Sequence, residues 1–331
     1  MAEAPAKDRK RIWYGLLSTA LAAVLLYYSL RGVEWGRVWA TILHAEWKYL
    51  AAAALLTCCS FCCRSLRWRV LLNSEADFDI PTVFLATMAG YLGNAFLPAR
   101  AGELVRTFAI SSRSALSAAF VFTTAAVERM MDAVVLVLAS SVVLLGVNPK
   151  PAWLTDVSRS MAVIAGAGLL AIVILPHTGT LCEQLLRRLP MPGGLRPRLL
   201  EASTQILLGL RTLHSFRRLG GFVFWTVVIW SLDCYGTLIC ARGMGLHISF
   251  RVAMLLLAGL GLGSALPSTP GYVGIYQFVT VSVLTPFGVS HDAAVAFILV
   301  SQAAGYVVVT VLGLPSIYHF GGWRKAAAAA E

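Results

Sequence analysis

The sequence predicts an all-α polytopic membrane protein, with about six full spans and two re-entrant broken-helix hairpins arranged as inverted-topology repeats. Three observations predict it. Hydrophobic residues make up 58% of the chain, charged residues 13%, and the mean hydropathy is +0.74. A soluble domain carries about 25% charged residues, so this chain cannot cover a water-facing surface, and it is too apolar for disorder. The apolar runs are continuous, where a transmembrane barrel would alternate. Two of the runs are interrupted midway by Gly, Pro and polar residues.

Basic residues number 27 against 16 acidic, a net charge of +11. The cations sit in short tracts beside apolar runs, which is how orientation signals look, so membrane lipids and not nucleic acid are the expected partners. Most are Arg, the better residue for bidentate phosphate contacts. Cys58, Cys59, Cys62 and Cys63 lie within one apolar helix, while Cys182, Cys234 and Cys240 are scattered. Cys59 and Cys62 form a C-x-x-C with no second pair or His cluster at zinc spacing. Small residues at a helix contact explain them, and neither a metal, a disulfide nor a cofactor is expected.

The first span is Ile12 to Leu30, behind Lys7, Arg9, Lys10 and Arg11. It is long for a signal peptide and lacks a cleavage site, so it reads as uncleaved with its N-terminus inside. Val33 to Trp47 mixes Trp35, Val38, Trp39, Ile42 and Leu43 with charge at helical spacing and reads as an interfacial helix on the outer surface. The second span runs from Tyr49 to Cys63, closed by Arg64, Arg67 and Arg69 as an inside marker.

Pro81 to Leu97 is apolar but carries Gly90, Gly93 and Asn94, and continues through Pro98, Arg100, Gly102, Glu103 and Arg106. A lipid-facing helix cannot hold so many breakers and charges. Two half-helices meeting at Leu97-Pro98 are expected, entering from and returning to the inside. Ala115 to Val147 then crosses outward with Glu128, Arg129 and Asp132, Asn148 to Pro151 is an external turn, and Ser160 to Leu175 returns. Pro176 to Gly220 reads as a polar inside loop with Arg187, Arg188, Arg196, Arg198, Arg211, Arg217 and Arg218. Gly221 to Ala241 goes out and contains Asp233; Val252 to Leu284 is the second broken hairpin, opening from the outside; Ala293 to Leu314 returns.

The basic residues placed inside outnumber those outside, which puts both termini in the cytoplasm and the protein in the inner (cytoplasmic) membrane. The order makes residues 1–320 one membrane domain of two inverted repeats, about 12–147 and 158–316, with 321–331 a tail that reads as low complexity or an appended scar. The breaks align as L-P-x-x-x-G: Leu97 to Gly102 against Leu266 to Gly271. Paired breaks between inverted repeats point to a transporter's binding site.

Glu103 and Arg106 share a helix face, with Arg100 one turn before. Charges at membrane depth usually face a cavity. The half-helix starting near Gly102 offers unpaired N–H groups to an anion, and two arginines beside it make a phosphate cradle; equally, a Glu103–Arg salt bridge locks the hairpin. Glu128 and Asp132, spaced i, i+4, either repel so that one carries a proton or join an ion network with Arg129 and the first hairpin. Asp233 needs a partner from another helix or a proton. Glu103, Glu128, Asp132 and Asp233 are thus the proton-coupling candidates. In the second hairpin Ser264, Ser268, Thr269, Tyr272, Tyr276 and Gln277 either bind hydroxyls or satisfy freed backbone, and Gly259, Gly261 and Gly263 suit helix packing.

The string Asn94-x-Phe96-Leu97-Pro98-x-Arg100-x-Gly102-Glu103-x-x-Arg106, with Glu128-Arg129-x-x-Asp132 and Pro267-x-x-Pro270-Gly271-x-x-Gly274, resembles the flippase-like membrane domain of lysylphosphatidylglycerol synthases over residues 10 to 320. That domain also occurs alone and beside some glycosyltransferases. The resemblance implies movement of a lipid between leaflets, with aminoacyl-phosphatidylglycerol the best-known cargo. Two positions depart: Tyr272 stands where a Gly is expected and Gln277 where a Glu is expected. No synthase domain follows, so the expected cargo widens to other phospholipids, polyprenyl-phosphates and hopanoids. Asn94, Arg100, Glu103, Arg106, Arg129, Ser268, Thr269, Tyr272 and Gln277 are the candidate substrate-binding residues. No catalytic set is expected, since no Ser, His and acid occur at recognisable spacing. The alternatives are an integral-membrane head-group transferase, or an accessory partner of a membrane glycosyltransferase or other lipid-modifying enzyme.

Overall fold

The computed structural model describes residues 19–97, 101–145, 152–179, 183–184, 195–264 and 269–328. The N-terminal basic cluster, Arg100, the 148–151 turn, Cys182, Arg187, Arg188, Pro267 and Ser268 lie outside the described residues. Every long element among those described is a helix.

In chain order the helices are α1 (Thr19–Leu30), α2 (Trp35–Leu43), α3 (Trp47–Leu72), α4 (Ile80–Phe96), α5 (Gly102–Ser111) and α6 (Ala118–Leu145). They continue as α7 (Ala152–Ile174), α8 (Leu195–Arg211), α9 (Phe216–Gly243), α10 (Phe250–Gly263), α11 (Ile275–Leu284) and α12 (His291–Ala328). Among the described residues, three segments are both long and apolar enough to cross a membrane: Trp47–Leu72, Phe216–Gly243 and His291–Gly321. α6 is as long, with 28 residues, but carries Glu128, Arg129 and Asp132.

Three sequence expectations are corrected. The second span does not close at Cys63. α3 continues to Leu72, because Ser65 to Leu72 has no breaker and Trp68, Leu71 and Leu72 are fully buried. Arg67 is therefore not an inside marker at a helix end; it lies in the core. The Pro176 to Gly220 stretch is not simply a loop: α8 occupies Leu195–Arg211 and packs on α6. Its apolar positions were masked in the sequence by the arginines between them. Finally, α12 does not stop at Leu314 but passes through Pro315, where Ser316 donates its hydroxyl to the Gly313 carbonyl. A proline within a helix removes the backbone bond to the carbonyl four residues before it, here that of Val311, and membrane helices tolerate this.

The chain forms two compact units, and α3, α4, α9 and α12 each supply residues to both. Unit 1 comprises Met1–Cys58, Tyr91–Gly102 and Leu232–Val311. In it α10 lies against α11, and the approach depends on Gly259 and Gly263. A Cβ on Gly259 would meet Val279 at 2.8 Å, and one on Gly263 would meet Ile275 at 3.1 Å. Asp292, at the start of α12, accepts from the Glu34 N–H at 2.9 Å, and the His291 ring binds the Ser29 carbonyl at 2.6 Å. α2 buries Val38 and leaves Trp35, Trp39 and Leu43 exposed, the amphipathic pattern of a surface helix.

Unit 2 comprises Cys59–Gly90, Glu103–Ser231 and Leu312–Glu331. Its apolar core joins Trp68, Leu71 and Leu72 of α3, Val83 and Ala86 of α4, Ile110 of α5, Phe120, Val121 and Val127 of α6, Leu210 of α8 and Phe222 of α9. The α3–α4 turn is held by side chains. Asn73 accepts from the Phe78 N–H at 3.2 Å, and Arg69 donates to the Phe78 carbonyl at 2.5 Å. Asp79 caps α4 by accepting from the Thr82 N–H at 3.1 Å, and the Thr82 hydroxyl, with this N–H, holds its carboxyl below the usual carboxylate range.

Candidate functional site

Both predicted breaks separate helices. α4 ends at Phe96 and α5 starts at Gly102, so Glu103 and Arg106 lie in the first two turns after the first break. Their i, i+3 spacing puts them on one face, and the Arg106 Nε sits 2.6 Å from a Glu103 oxygen. α6 presents Glu128 and Asp132, one turn apart, to the same region, with Arg129 rotated to their side.

A buried ionic knot in unit 2 results. Arg67 is its centre and has no exposed surface. Its Nε and Nη2 donate to one Glu128 oxygen at 3.2 and 2.9 Å, and its Nη1 and Nη2 donate to the two Asp132 oxygens at 2.6 and 2.9 Å. Nη1 also donates to the Thr226 hydroxyl at 3.1 Å. A guanidinium has five N–H donors, and this set uses its full capacity. The other Glu128 oxygen accepts from Arg106 at 2.8 Å. Aromatic faces close the assembly: Arg67 lies 4.9 Å from the Phe222 ring centroid and Arg106 4.7 Å from that of Trp68, whose indole N–H donates to Thr124 at 3.1 Å.

Three arginines pair with three carboxylates in the knot, and Arg64 of α3 adds a fourth positive charge near Arg67 and Asp132. Burying a charge without partners costs several kcal/mol, so dense pairing is a condition for these residues to be in a membrane helix bundle at all. The pairing is not uniform. Arg67 and Arg106 hold their carboxylates at 2.6–3.2 Å, whereas Arg129 stands 3.5 Å from Glu103 and 3.7 Å from both Glu128 and Asp132. Arg129 is also the most open member, with 28% of its side chain exposed, followed by Glu103 with 17%.

The second break is built from backbone strain and amide side chains in unit 1. Gly271 (φ 67°), Tyr272 (φ 62°) and Gly274 (φ 89°) have positive φ, with the extended Val273 between the last two. Gln277, buried, accepts from the Gly274 N–H at 2.7 Å and donates to Gln302 at 2.7 Å. Gln302 and the Tyr306 hydroxyl both donate to the Gly271 carbonyl, at 2.6 and 2.7 Å. Tyr272 stacks on Tyr276, with centroids 4.9 Å apart and planes 12° apart. The Thr269 hydroxyl donates to the Val273 carbonyl at 2.9 Å.

Of the sequence-predicted site residues, the structure brings Glu103, Arg106, Glu128, Arg129 and Asp132 together in unit 2. Thr269, Tyr272 and Gln277 gather in unit 1, where Gln277 satisfies freed backbone. The Asn94 Oδ1 is buried with no hydrogen-bond partner among the described residues. Asp233 is half-buried in α9, and its carbonyl accepts from Thr237. Sequence reasoning missed Arg67, Thr226, Gln302 and Tyr306. Arg67 had a signal: two carboxylates on one face of α6, with Arg129 on another, require a cation from a different helix.

The comparisons place these features in a family. Residues 15–313 match the family described as the lysylphosphatidylglycerol synthase TM region. Glycosyltransferase AglD of Haloferax volcanii is 24% identical over 93% of this chain, which spans only 54% of that protein. A UPF0104 membrane protein of Methanothermobacter thermautotrophicus is 22% identical over 78% of this chain and 79% of its own length. The UPF0104 membrane protein PH1989 of Pyrococcus horikoshii is 23% identical over 90% and 93%. No solved structure matches. With apolar helices long enough to span a bilayer and a family match over most of its length, the chain is an integral membrane protein and belongs to the lysylphosphatidylglycerol synthase TM region family.

Proposed function

We propose that this protein is a lipid flippase that moves an anionic, phosphate-bearing lipid between leaflets, without altering it and without ATP. The observation that carries the reading is the buried ionic knot on the helices, whose most exposed member, Arg129, stands 3.5 to 3.7 Å from three carboxylates. A phosphate dragged through hydrocarbon would leave its charge unsolvated. A polar groove lined by Arg129 and its neighbours replaces the lost hydration while the acyl tails stay in lipid. The two helix breaks support re-entrant hairpins opening from opposite faces, with inverted repeats around them. The proposal includes an inner-membrane location with both termini cytoplasmic, which accessibility labelling of single cysteines on either side tests.

Reconstitution of the purified protein in liposomes tests the function. Fluorescent phosphatidylglycerol, aminoacyl-phosphatidylglycerol and polyprenyl-phosphate should become accessible to an external reductant beyond the outer-leaflet fraction, with unchanged masses. A lipid recovered with an altered head group would turn the reading to an enzyme, and no relocation of any phosphate-bearing lipid would count against transport. The similarity to a protein named as a glycosyltransferase supports a second reading, that the domain serves a membrane glycosyltransferase partner. That reading expects relocation of a polyprenyl-phosphate carrier but not of phospholipids.

A further inference from the structure

We propose that the link between α8 and α9 is an anchor for an anionic leaflet: Phe216 carries the lipid-facing stripe of α9 into the head-group layer, and Arg217 and Arg218 beside it hold lipid phosphates there. The inference goes beyond the flippase reading and does not depend on it.

The link turns sharply from core to surface. Thr212 and Leu213 are buried, and Leu213 packs in the unit 2 core. Ser215 is extended, with φ −83° and ψ 125°, and redirects the chain into α9. Phe216 then has 93% of its surface exposed, more than any other large hydrophobic residue among those described. It stands at a fixed corner. The Leu219 N–H donates to the Ser215 carbonyl at 2.9 Å, and the Arg218 Nε donates to the Thr212 carbonyl at 2.8 Å. A solvated loop explains the arginines here, but not a phenyl ring held out of the core.

Two apolar bands in unit 2 mark where hydrocarbon begins. On α9 the exposed residues Leu219, Val223 and Val227 recur at helical spacing and form one stripe, opposite the buried Phe222, Thr226 and Ile229. Phe216 is the next member of that stripe, about 10 Å along the axis from Val223. α9 has 28 residues, about 42 Å of helix against a hydrocarbon core of about 30 Å, so its ends stand in the head-group layers. At the end of α7 and in the turn after it, the exposed run Val173, Ile174 and Leu175 stops before His177. The His177 ring meets that of His214 in the link, with centroids 5.8 Å apart. Both bands therefore end at the level of the link.

Charge selects the kind of leaflet. From Ala202 to Leu232 the chain carries Arg211, Arg217 and Arg218 and no acid. Arg217 is exposed, and neither it nor Arg218 has a salt bridge among the described residues. The bond from the Arg218 Nε to the Thr212 carbonyl fixes that side chain and leaves its terminal nitrogens as a fork for a phosphate. Cations beside an apolar ring at the edge of the hydrocarbon fit anionic head groups, with the ring at the acyl boundary and the guanidinium groups among the phosphates.

Hydrogen exchange of the full-length protein in nanodiscs tests this, comparing phosphatidylcholine alone with an equal mixture of phosphatidylcholine and phosphatidylglycerol. The first N–H groups of α9 have no acceptor within the helix, so their protection reports contact with head groups. Across residues 216–219 exchange should slow by about fivefold or more in the mixture, the effect of one arginine at an anionic surface, and salt at about 0.5 M should shrink the difference. α10 and α11 should be unaffected. Arg217→Gln, at an exposed side chain, should reduce the slowing, and Phe216→Ala should speed exchange in both nanodiscs. Equal exchange in the two compositions overturns the proposal. So does slowing of every helix alike, or slowing that inorganic phosphate reproduces in phosphatidylcholine alone. Slowing retained in full when Arg217→Gln and Arg218→Gln are combined also overturns it; if that double variant does not fold, Arg217→Gln alone decides.

Discussion

Arg67 is the residue on which unit 2 depends most. Removing it leaves Glu128 and Asp132 buried without their main counter-ion, a loss of about 3–5 kcal/mol for a broken buried pair. Arg67→Met should lower the unfolding midpoint in detergent sharply, and Arg67→Lys should not rescue it, because an ammonium cannot fork between two carboxylates. Arg129→Ala, at a partly exposed side chain 3.5 to 3.7 Å from its acids, should cost far less. Equal losses for the two would show that the knot has no such hierarchy. Tyr272 offers a second test. The family resemblance expects a Gly at this position, and the backbone there has φ 62°. Tyr272→Ala loses the stack on Tyr276 and keeps the strained backbone, while Tyr272→Gly loses the stack and relieves the strain. Gly should therefore be the more stable of the two by about 1 kcal/mol, the reverse of its usual order. Residues such as Gln302 and Tyr306 were not legible beforehand, since a polar side chain in a span has no sequence mark telling which distant carbonyl it serves.

Among the helices, legibility followed the strength of the local signal. The breaks after Phe96 and Gly263 were legible because Pro, Gly and charge cannot continue a lipid-facing helix. α8 was not, because its arginines hide a buried apolar face that exists only against α6. Gly209 is the point where that packing is closest: a Cβ there would meet the Thr123 side chain at 2.7 Å and the Phe120 carbonyl at 3.3 Å. Gly209→Val should push α8 away and cost about 1–3 kcal/mol by overpacking. Faster proteolysis or hydrogen exchange across residues 195–211, with α10 and α11 unaffected, would be the signature. Unchanged protection would mean that α8 does not rest on α6 at this point. The end of α3 was misread because arginine serves two purposes in membrane proteins. It marks cytoplasmic ends, and it neutralises buried acids, and only the partner's position distinguishes them.

For the whole molecule, composition was sufficient for the membrane class and the motifs for the family. The site was partly legible: the acids and two of its arginines were visible as a pattern, while the central arginine came from a helix read as ending earlier. The account's central claim is that Arg129 hands a lipid phosphate through the bilayer. Losing a charge-assisted bidentate contact is worth about 1.5–3 kcal/mol, or one to two decades. The most direct measurement compares wild-type and Arg129→Ala protein in liposomes at equal protein density, following the reductant-accessible fraction of fluorescent phosphatidylglycerol over time. The account predicts rapid relocation by the wild type and a rate lower by about one to two decades for the variant, with its unfolding midpoint nearly retained. Equal rates for the two folded proteins would contradict it.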